Sequence, residues 1–528
     1  MKRGARSREP GGKGVNVWLV ALAVGVLTFA LYLPTLKSGF VYDAEAQILI
    51  DGYIHDRANF FEVLSLRVLS RDVLDFNRPV QLLSLMTDSL CWGRNPFGYH
   101  LTSNLIHALN AALLFLLILR LAEAGGSGRS ALLPWIAAAG ALLFAWHPVN
   151  VEAVAEVSCR EDLLATFFVL AGLLCADAFA RTNGRKALWF AAGCVFAMFL
   201  ACGAKETGIA GPFLLGLYWL LYRRNQPARP WVLLLAACFA VTMGFLAARF
   251  YFQPAVSQIF LHPAGYIGGS FAKVFEIQPR LWVALLKSIF WPFGLSADYV
   301  PQNVAWLTLP VALPVLAVFL SLQFLLGWKC RMALFGAALF WLALAPVSNF
   351  LPIYRPLADR FLYLPMVGLA LGLGGLLLLT SRRQEILQLL LAGLLMLLIP
   401  LAALTWQRQA VFANPLNLWL DTLAKSPFSD TAANNLGFAL IAKGDYEKSL
   451  AAFQRALQLT NGKKEDALAG TAIALEKLGR TEQAEEALRQ AVSLNAIYAE
   501  PQKLVKALIA TPEHAALLQE ITERMRKK

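Results

Sequence analysis

Apolar residues in this chain are grouped in long runs, and polar residues are concentrated in the short segments between them. A helix that crosses a bilayer needs about 20 consecutive, mostly apolar residues. Eleven runs approach or reach that length, at residues 15–34, 99–119, 131–147, 163–180, 187–203, 207–222, 231–250, 304–328, 332–353, 360–380 and 386–405. The pattern predicts an all-α, polytopic membrane domain of about eleven transmembrane helices over residues 1–405, with a long first outer loop at 35–98.

From residue 406 onward the apolar runs give way to shorter helical segments with a repeating pattern. Gly437 and Phe453 are followed at the same offset, thirty-five residues later, by Ala472 and Leu488. A period of about 34 residues, with small and large positions alternating on paired helices, is typical of tetratricopeptide repeats. Residues 406–528 are therefore predicted to form a tetratricopeptide α-solenoid, which is either a stabilising cap or a groove for an extended peptide.

The composition indicates a membrane protein and excludes a single water-soluble enzyme. Charged residues make up 15% of the 528 residues, whereas soluble globular proteins carry about 25%. Most of the net charge of +13 lies on short loops on one side of the predicted spans, which carry 17 Lys and Arg against three Glu. The positive-inside rule makes this side cytoplasmic, with the N-terminus inside and the repeats outside. The basic balance is therefore a sign of topology, and no nucleic-acid partner is expected.

One apolar segment, residues 280–296, does not fit as a span. It is short, contains Lys287, and would reverse the sidedness of every later loop if it crossed the bilayer. It is predicted to be a helix that lies at the outer membrane surface.

The first outer loop offers a candidate for acid–base chemistry. Asp43 stands in the sequence Phe40-Val41-Tyr42-Asp43-Ala44-Glu45, close to the end of the first predicted span. A carboxylate at the membrane surface among apolar residues is suited to deprotonating a hydroxyl group as a general base. The alternative interpretation is an ordinary solvated loop acid.

A second group of ionisable residues precedes the fourth predicted span, from His147 to Asp162. If this stretch is helical, Glu152, Glu156 and Arg160 share one face, because they are spaced four residues apart. So many charges at a span end cost energy unless they pair or line a watery cavity. A metal is not expected, because His147 and Glu152 have no third ligand at a standard spacing.

Two further outer span ends carry charged pairs, Lys205-Glu206 and Asp359-Arg360. Lys binds phosphate as a point charge, and Arg binds it through two parallel hydrogen bonds. Neutralised pairs and helix ends anchored by snorkelling are the structural alternatives. Cations at several outer span ends, facing a loop rich in carboxylates, suggest an anionic lipid headgroup beside a general base.

These residues form motifs that resemble a known family. The motifs are Arg78-Pro79, Gly93-Arg94-Asn95-Pro96-Phe97-Gly98-Tyr99-His100, His147-Pro148 to Glu152, Arg160-Glu161-Asp162, Lys205-Glu206, Trp291-Pro292-Phe293-Gly294 and Asp359-Arg360-Phe361-Leu362-Tyr363. In this order, with C-terminal repeats, they resemble the transmembrane-and-tetratricopeptide O-mannosyltransferases, relatives of the protein O-mannosyltransferases with a GT-C fold. The resemblance implies a polyprenyl-phosphate hexose donor, an active site on the outer face, and no metal or other cofactor.

The resemblance also implies roles for individual residues. Asp43 matches the acid that the family uses as base. The family shows two adjacent acids, whereas here Ala44 follows and Glu45 would have to substitute, on the same face if the segment is extended. Arg160, Lys205 and Arg360 are predicted to bind the donor phosphate. The predicted supporting or substrate-binding residues are Arg78, His147, Glu152, Glu161, Asp162, Glu206 and Asp359.

The sequence thus predicts a multi-pass membrane glycosyltransferase that moves a hexose such as mannose to a hydroxyl of an outer-face protein acceptor, which the repeats help to hold. The alternatives are a lipid or polysaccharide acceptor, or a non-catalytic membrane scaffold whose repeats dock envelope proteins. The expected location is a bacterial inner membrane with periplasmic repeats, or the endoplasmic reticulum with luminal repeats if the source is eukaryotic.

Overall fold

The computed structural model describes residues 15–71, 73–74, 78–126, 132–252, 266–353, 355–381, 383–506 and 511–527. Helices, turns and loops account for all of this part of the chain, and it contains no β-strand. The prediction of an all-α protein is confirmed. The basic residues predicted to mark a cytoplasmic N-terminus, within 1–14, lie outside the described residues.

The α-helices of the described part are numbered in chain order: α1 (Val17–Leu31), α2 (Phe60–Leu64), α3 (Pro79–Trp92), α4 (Pro96–Ala124), α5 (Leu133–Ala145), α6 (Val151–Ala155), α7 (Arg160–Arg181), α8 (Gly184–Ala204), α9 (Ala210–Tyr218), α10 (Ala228–Phe252), α11 (Phe271–Phe290), α12 (Leu309–Lys329), α13 (Arg331–Leu344), α14 (Tyr363–Thr380), α15 (Gln384–Gln409), α16 (Pro415–Lys425), α17 (Asp430–Lys443), α18 (Tyr446–Leu459), α19 (Glu465–Lys477), α20 (Thr481–Leu494), α21 (Pro501–Lys506) and α22 (Pro512–Lys527).

The apolar helices fall into two length classes. Within the described ranges, seven helical segments, those containing α4, α7, α8, α10, α12, α14 and α15, are long and apolar enough to cross a membrane. The helices α1, α5 and α13 are apolar but shorter. The predicted sixth span corresponds to α9 and the π-helical turn Trp219–Arg223. Each predicted span is thus represented by a helix, which supports a multi-pass membrane protein, while the number of crossings remains a prediction.

Small residues and buried polar groups hold the apolar bundle together. Gly336 in α13 and Gly368 in α14 face each other so closely that a Cβ on Gly368 would lie 2.4 Å from the Gly336 carbonyl oxygen. Such small-residue contacts let membrane helices approach without a hydrophobic driving force. Between α4 and α14, His107 Nδ1 lies 2.7 Å from the Tyr363 hydroxyl, and Asn110 Nδ2 donates to the same hydroxyl at 3.1 Å.

The segment predicted as a surface helix forms α11, which begins nine residues earlier and ends six residues earlier than expected. Leu281 and Leu285 are buried on one side, whereas Phe275 and Phe290 are exposed. The helix is therefore amphipathic, and its position relative to the bilayer stays a prediction.

The C-terminal part contains two helical pairs, α17–α18 and α19–α20. Phe453 of α18 packs against Gly437 and Gly470 of the first helices of the two pairs, where a side chain could not be accommodated. The predicted boundary after residue 405 lies within α15. Trp419 of α16 and Leu436 of α17 are buried in the same apolar core as the membrane helices. The first repeat therefore packs directly on the membrane domain.

The last helix, α22, packs back on the repeats. The His514 ring lies 5.6 Å from the Phe438 ring of α17. Arg524 donates to both carboxylate oxygens of Glu476 in α19, at 3.1 Å and 2.6 Å. The face shared by the first helices of the two repeats is thus covered by α22.

Candidate active site

One cavity of about 480 Å³ is lined by half of the site residues that the sequence predicts. It lies where α7 and α14 begin and where α8 and α10 end, and we call it the Asp43 cavity. The selected residues that line it are Asp43, Arg78, Glu161, Lys205, Glu206 and Arg360. Residues that are far apart in the sequence therefore converge on one site.

Asp43 lies on a tight turn of the first loop. The N–H of Ala44 donates to the Val41 carbonyl, and the N–H of Glu45 donates to the Tyr42 carbonyl, both at 3.2 Å. The Asp43 side chain remains open to solvent at this turn. Desolvation by the surrounding protein nevertheless raises the pKa of its carboxyl from the ordinary value of 3.8, although Arg360 and Arg355 oppose the rise. A carboxylate of increased basicity that faces a cavity is suited to accept a proton.

A buried glutamate fixes the turn that carries Asp43. Glu156 accepts hydrogen bonds from the N–H of Ala44 at 3.2 Å and from the N–H of Cys159 at 2.9 Å. Burial, with the nearby Asp43 carboxylate, raises the pKa of Glu156 to about 8. The sequence predicts Glu156 only as part of a charged helix face, yet Glu156 joins the loop to the start of α7.

Arg360 is oriented by Glu152. The Arg360 guanidinium donates to Glu152 Oε1 at 2.6 Å, and its backbone N–H donates to Oε2 at 3.1 Å. Glu152 does not line the cavity, so it acts behind the cation. Glu152 thus holds the cation from outside the cavity, and its supporting or substrate-binding role stays a prediction.

Lys205 is held by two consecutive acids at the beginning of α7. Its ammonium lies 2.6 Å from Asp162 Oδ2 and 3.0 Å from Glu161 Oε1. Burial opposes the charge, but Asp162 and Glu161 keep the pKa of Lys205 above its ordinary value. The ammonium therefore stays protonated at the cavity wall.

Arg78 and Glu206 continue the charged wall. Arg78 pairs with Glu161 and lies 3.4 Å from Glu206. Glu206 is also paired with Arg249 of α10 at 2.7 Å. Burial alone would raise the pKa of Glu206, but Arg78 and Arg249 lower it below the ordinary value. Arg249 was not selected from the sequence, although an arginine at the end of a predicted span was a usable signal.

Tyr42 and Arg355 also line the cavity and were likewise not selected. The Arg355 guanidinium carbon lies 5.3 Å from the centre of the Tyr42 ring. Arg355 is a further arginine at the outer end of a predicted span, but the contact with Tyr42 joins segments more than 300 residues apart. Local sequence patterns contain no information about such a contact.

Arg160 was predicted to bind the donor phosphate, but the structure places it away from the Asp43 cavity. Its side chain is fully buried and does not line the cavity. It pairs with Asp88 at 2.6 Å and donates to the Tyr99 carbonyl at 2.7 Å. The expected continuous helix is also interrupted, because α6 ends before Glu156 and α7 begins at Arg160. The break turns Arg160 inward toward α3 and α4.

Glu45 was expected to share the face of Asp43 on an extended segment, and this is also wrong. The chain is helical from Asp43 onward, and Glu45 begins the π-helical segment Glu45–Ile50. Two residues along a helix point to nearly opposite sides, and Glu45 does not line the cavity. Burial raises the pKa of Glu45 to about 7.

His147 and Asp359 lie outside the cavity as well and connect structural elements. His147 Nε2 lies 2.9 Å from the Ile289 carbonyl oxygen, which joins the end of α5 to α11. Asp359 accepts from the Tyr299 hydroxyl at 2.8 Å and from Arg408 at 3.1 Å. Within the described ranges, no group of three or more His, Cys, Asp or Glu residues is arranged to hold a metal ion.

The repeat region of the chain matches a known family model, and longer stretches of the chain are similar to known proteins. Residues 428–495 match a tetratricopeptide-repeat family model. The chain is 24% identical over 467 residues to a protein O-mannosyl-transferase of Caenorhabditis elegans and 25% identical over 525 residues to protein O-mannosyl-transferase TMTC3 of Homo sapiens. This chain is homologous to the animal protein O-mannosyl-transferases.

These alignments cover 84% and 91% of this chain but only 64% and 55% of the two relatives. The chain therefore spans between about half and two thirds of the curated relatives it matches. Among solved structures, ArnT from Cupriavidus metallidurans bound to undecaprenyl phosphate is similar over 89% of this chain and 80% of its own, with 15% identity and a TM-score of 0.40.

Proposed function

We propose that this chain is a membrane glycosyltransferase that moves a hexose such as mannose from a polyprenyl phosphate to a hydroxyl group of a protein. The observation that carries the proposal is the Asp43 cavity, in which a carboxylate of raised pKa faces the cations Lys205 and Arg360. The homology to protein O-mannosyl-transferases supports both the reaction class and the acceptor class.

Asp43 is the proposed general base. It takes the proton of the acceptor hydroxyl as the hydroxyl oxygen attacks the anomeric carbon of the hexose. The bond between that carbon and the phosphate oxygen breaks, and the electron pair leaves with the polyprenyl phosphate. Lys205 and Arg360 stabilise the negative charge that develops on the leaving phosphate.

The charge balance of the cavity supports an anionic donor. Among the described lining residues, five are cationic and three are acidic. The cations are held by five carboxylates: Glu152, Asp162 and Asp298 lie outside the cavity lining, and Glu161 and Glu206 are part of it. Because they are already held in place, the cations need no rearrangement when the phosphate charge develops. Arg160 is not part of this proposal.

The apolar wall of the cavity supports a lipid-linked donor over a soluble one. Leu246 and Phe250 of α10 and Val347 and Leu351 after α13 line it. Both helices are apolar, so an isoprenoid chain between them would remain in hydrocarbon while its phosphate meets the cations. With the cavity on the outer face, the repeats are periplasmic in a bacterium and luminal in the endoplasmic reticulum.

The repeats are proposed to hold the protein acceptor near the cavity. Because α22 covers the face shared by α17 and α19, a peptide would bind another face of the repeats or displace this helix. The competing acceptors are a lipid and a polysaccharide, and the competing role is a scaffold without catalysis.

The proposal is tested by sugar transfer in membranes that contain the full chain. Radiolabelled polyprenyl-phosphate mannose is supplied, and label is measured separately in protein, lipid and polysaccharide, with membranes lacking the chain as control. We expect label in protein. Label confined to lipid or polysaccharide would mean that the acceptor is not a protein. If no label depends on the chain with polyprenyl-phosphate mannose, glucose or galactose, the scaffold role is favoured.

A further inference from the structure

Tyr42, the residue before the proposed base, has a backbone conformation that tyrosine rarely adopts. Its φ is +57°, in the left-handed region that disfavours side chains with a Cβ. This conformation reverses the chain at the turn from Val41 to Glu45. Since Asp43 lies on that turn, the direction of its carboxylate depends on the conformation of Tyr42.

The Tyr42 ring is held between two groups. The Trp419 ring lies 5.3 Å away, edge-on at 62°, and the Arg355 guanidinium carbon lies 5.3 Å from the ring centre. Trp419 is buried and belongs to α16, the helix that leads into the repeats. Strained conformations persist where several contacts determine them together, and these two contacts do so here.

Arg355 is itself held by residues next to the repeats. Its guanidinium pairs with Asp298, which also accepts a hydrogen bond from the Ser429 hydroxyl. Ser429 caps the first helix of the first repeat, α17. Close by, the hydroxyls of Ser296 and Ser426 lie 3.0 Å apart. Both groups that hold the Tyr42 ring therefore depend on the chain between α15 and α17.

We propose that Tyr42 is a positioning residue and that the chain between α15 and α17 completes the active site. It does so by holding the Tyr42 ring through Trp419 and Arg355, an arrangement that we call the clamp. The inference rests on the proposed function, because it takes Asp43 as the base. Without the clamp, the turn relaxes toward right-handed backbone angles and the Asp43 carboxylate turns away from the acceptor. The donor contacts at Lys205 and Arg360 remain, so catalysis is lost with little loss of donor binding.

Substitutions at Tyr42 test whether catalysis depends on the left-handed backbone conformation at this position. Glycine adopts left-handed angles freely, whereas alanine does not. We expect Tyr42→Phe to keep near wild-type kcat, Tyr42→Gly to keep part of it and Tyr42→Ala to lose most, with the donor KM changed by less than about twofold. If Tyr42→Gly is as impaired as Tyr42→Ala, the ring itself is what matters, and the positioning role is overturned.

Substitutions at Trp419 test the clamp. Trp419→Ala is expected to lower kcat roughly 10- to 100-fold, as a displaced catalytic group does, and Trp419→Phe to restore most of it. In a Tyr42→Gly background, Trp419→Ala should have little further effect, because the two residues act through one turn. Leu420→Ala is the matched control, since Leu420 is an exposed neighbour on α16 and should leave kcat unchanged.

Wild-type kcat in Trp419→Ala, or fully additive losses in the double variant, would overturn the clamp while leaving the proposed function intact. If Trp419→Ala does not fold, as judged by thermal unfolding of the purified protein, Trp419→Phe and the Tyr42 series still decide the question. Absence of transfer by the wild type would overturn the proposed function and the clamp together.

Discussion

Arg360 donates hydrogen bonds to the carboxylate of Glu152 from both its guanidinium and its backbone N–H, at 2.6 Å and 3.1 Å. Glu152 is 2% exposed and lies on α6, whereas Arg360 lies in the 3-10 turn Asp359–Leu362 that leads into α14. The double contact fixes a cation on the wall of the Asp43 cavity. A fixed cation beside a carboxylate suits the proposed transfer, in which negative charge develops on the leaving phosphate.

Arg360→Lys is predicted to lower kcat/KM for the lipid-linked donor roughly 10- to 100-fold, because lysine keeps the charge but not the planar, two-donor geometry. The measurement is the initial rate of transfer in purified membranes as the concentration of the lipid-linked donor is varied. Arg57→Lys, at an exposed position of the first loop, is the control and should be neutral. Unchanged donor kinetics in Arg360→Lys would remove Arg360 from the phosphate site.

Lys205→Met is predicted to lower the free energy of unfolding by about 3–5 kcal/mol, because it leaves the buried carboxylates of Glu161 and Asp162 without their ammonium. Lys205→Arg keeps a cation and should cost less. Denaturant unfolding of the detergent-purified protein compares the two variants with the wild type. Equal stability of Lys205→Met and wild type would show that the Lys205 ammonium is not needed to neutralise Glu161 and Asp162.

Arg160→Met is predicted to destabilise the fold by a similar amount, about 3–5 kcal/mol, because Asp88 then loses its buried partner. Adding Asp88→Leu should recover much of the loss, because no unpaired charge is then left. The folded fraction of either variant should keep the wild-type donor KM. A large rise in donor KM would restore the phosphate role that the sequence suggested for Arg160.

Glu156 is predicted to make stability depend on pH between about 4.5, its ordinary pKa, and about 8, its pKa in the fold. Within this window only the folded state holds the proton, so the free energy of unfolding falls as pH rises and levels off above the upper value. Glu156→Gln keeps an acceptor for the Ala44 N–H but cannot titrate.

The test is thermal unfolding of wild type and Glu156→Gln at several pH values from 5 to 9. The glutamine variant should show a flatter dependence than the wild type. Parallel curves for the two proteins would mean that Glu156 does not carry the predicted titration.

The sequence was sufficient for the helices and for several cavity residues, because apolar runs and span-end charges are local patterns. Lys205 and Arg360 were selected in this way, whereas Asp43 was selected through its place near a span end together with the family resemblance. Glu45 and Arg160 were misplaced because their side-chain directions depend on a π-helical segment and a helix break. The local pattern of apolar and polar residues does not predict either feature.

Other residues could not be found because their role arises only from tertiary contacts. Tyr42 matters through its left-handed φ and through Trp419 and Arg355, which are more than 300 residues away in the chain. Arg249 meets Glu206 only because α8 and α10 end at the same cavity. Periodicity and composition do not encode these pairings.

The central claim is that Asp43 is the base, and the most direct test compares transfer from radiolabelled polyprenyl-phosphate mannose by wild type, Asp43→Asn and Glu45→Gln. Asparagine keeps the shape of Asp43 but cannot take a proton. Asp43→Asn should lose transfer by roughly 10²- to 10⁴-fold, the usual contribution of a general base, while folding normally and keeping its donor affinity. Glu45→Gln, which changes an acid two residues away but outside the cavity, should retain transfer. Equal transfer by Asp43→Asn and wild type would contradict the account.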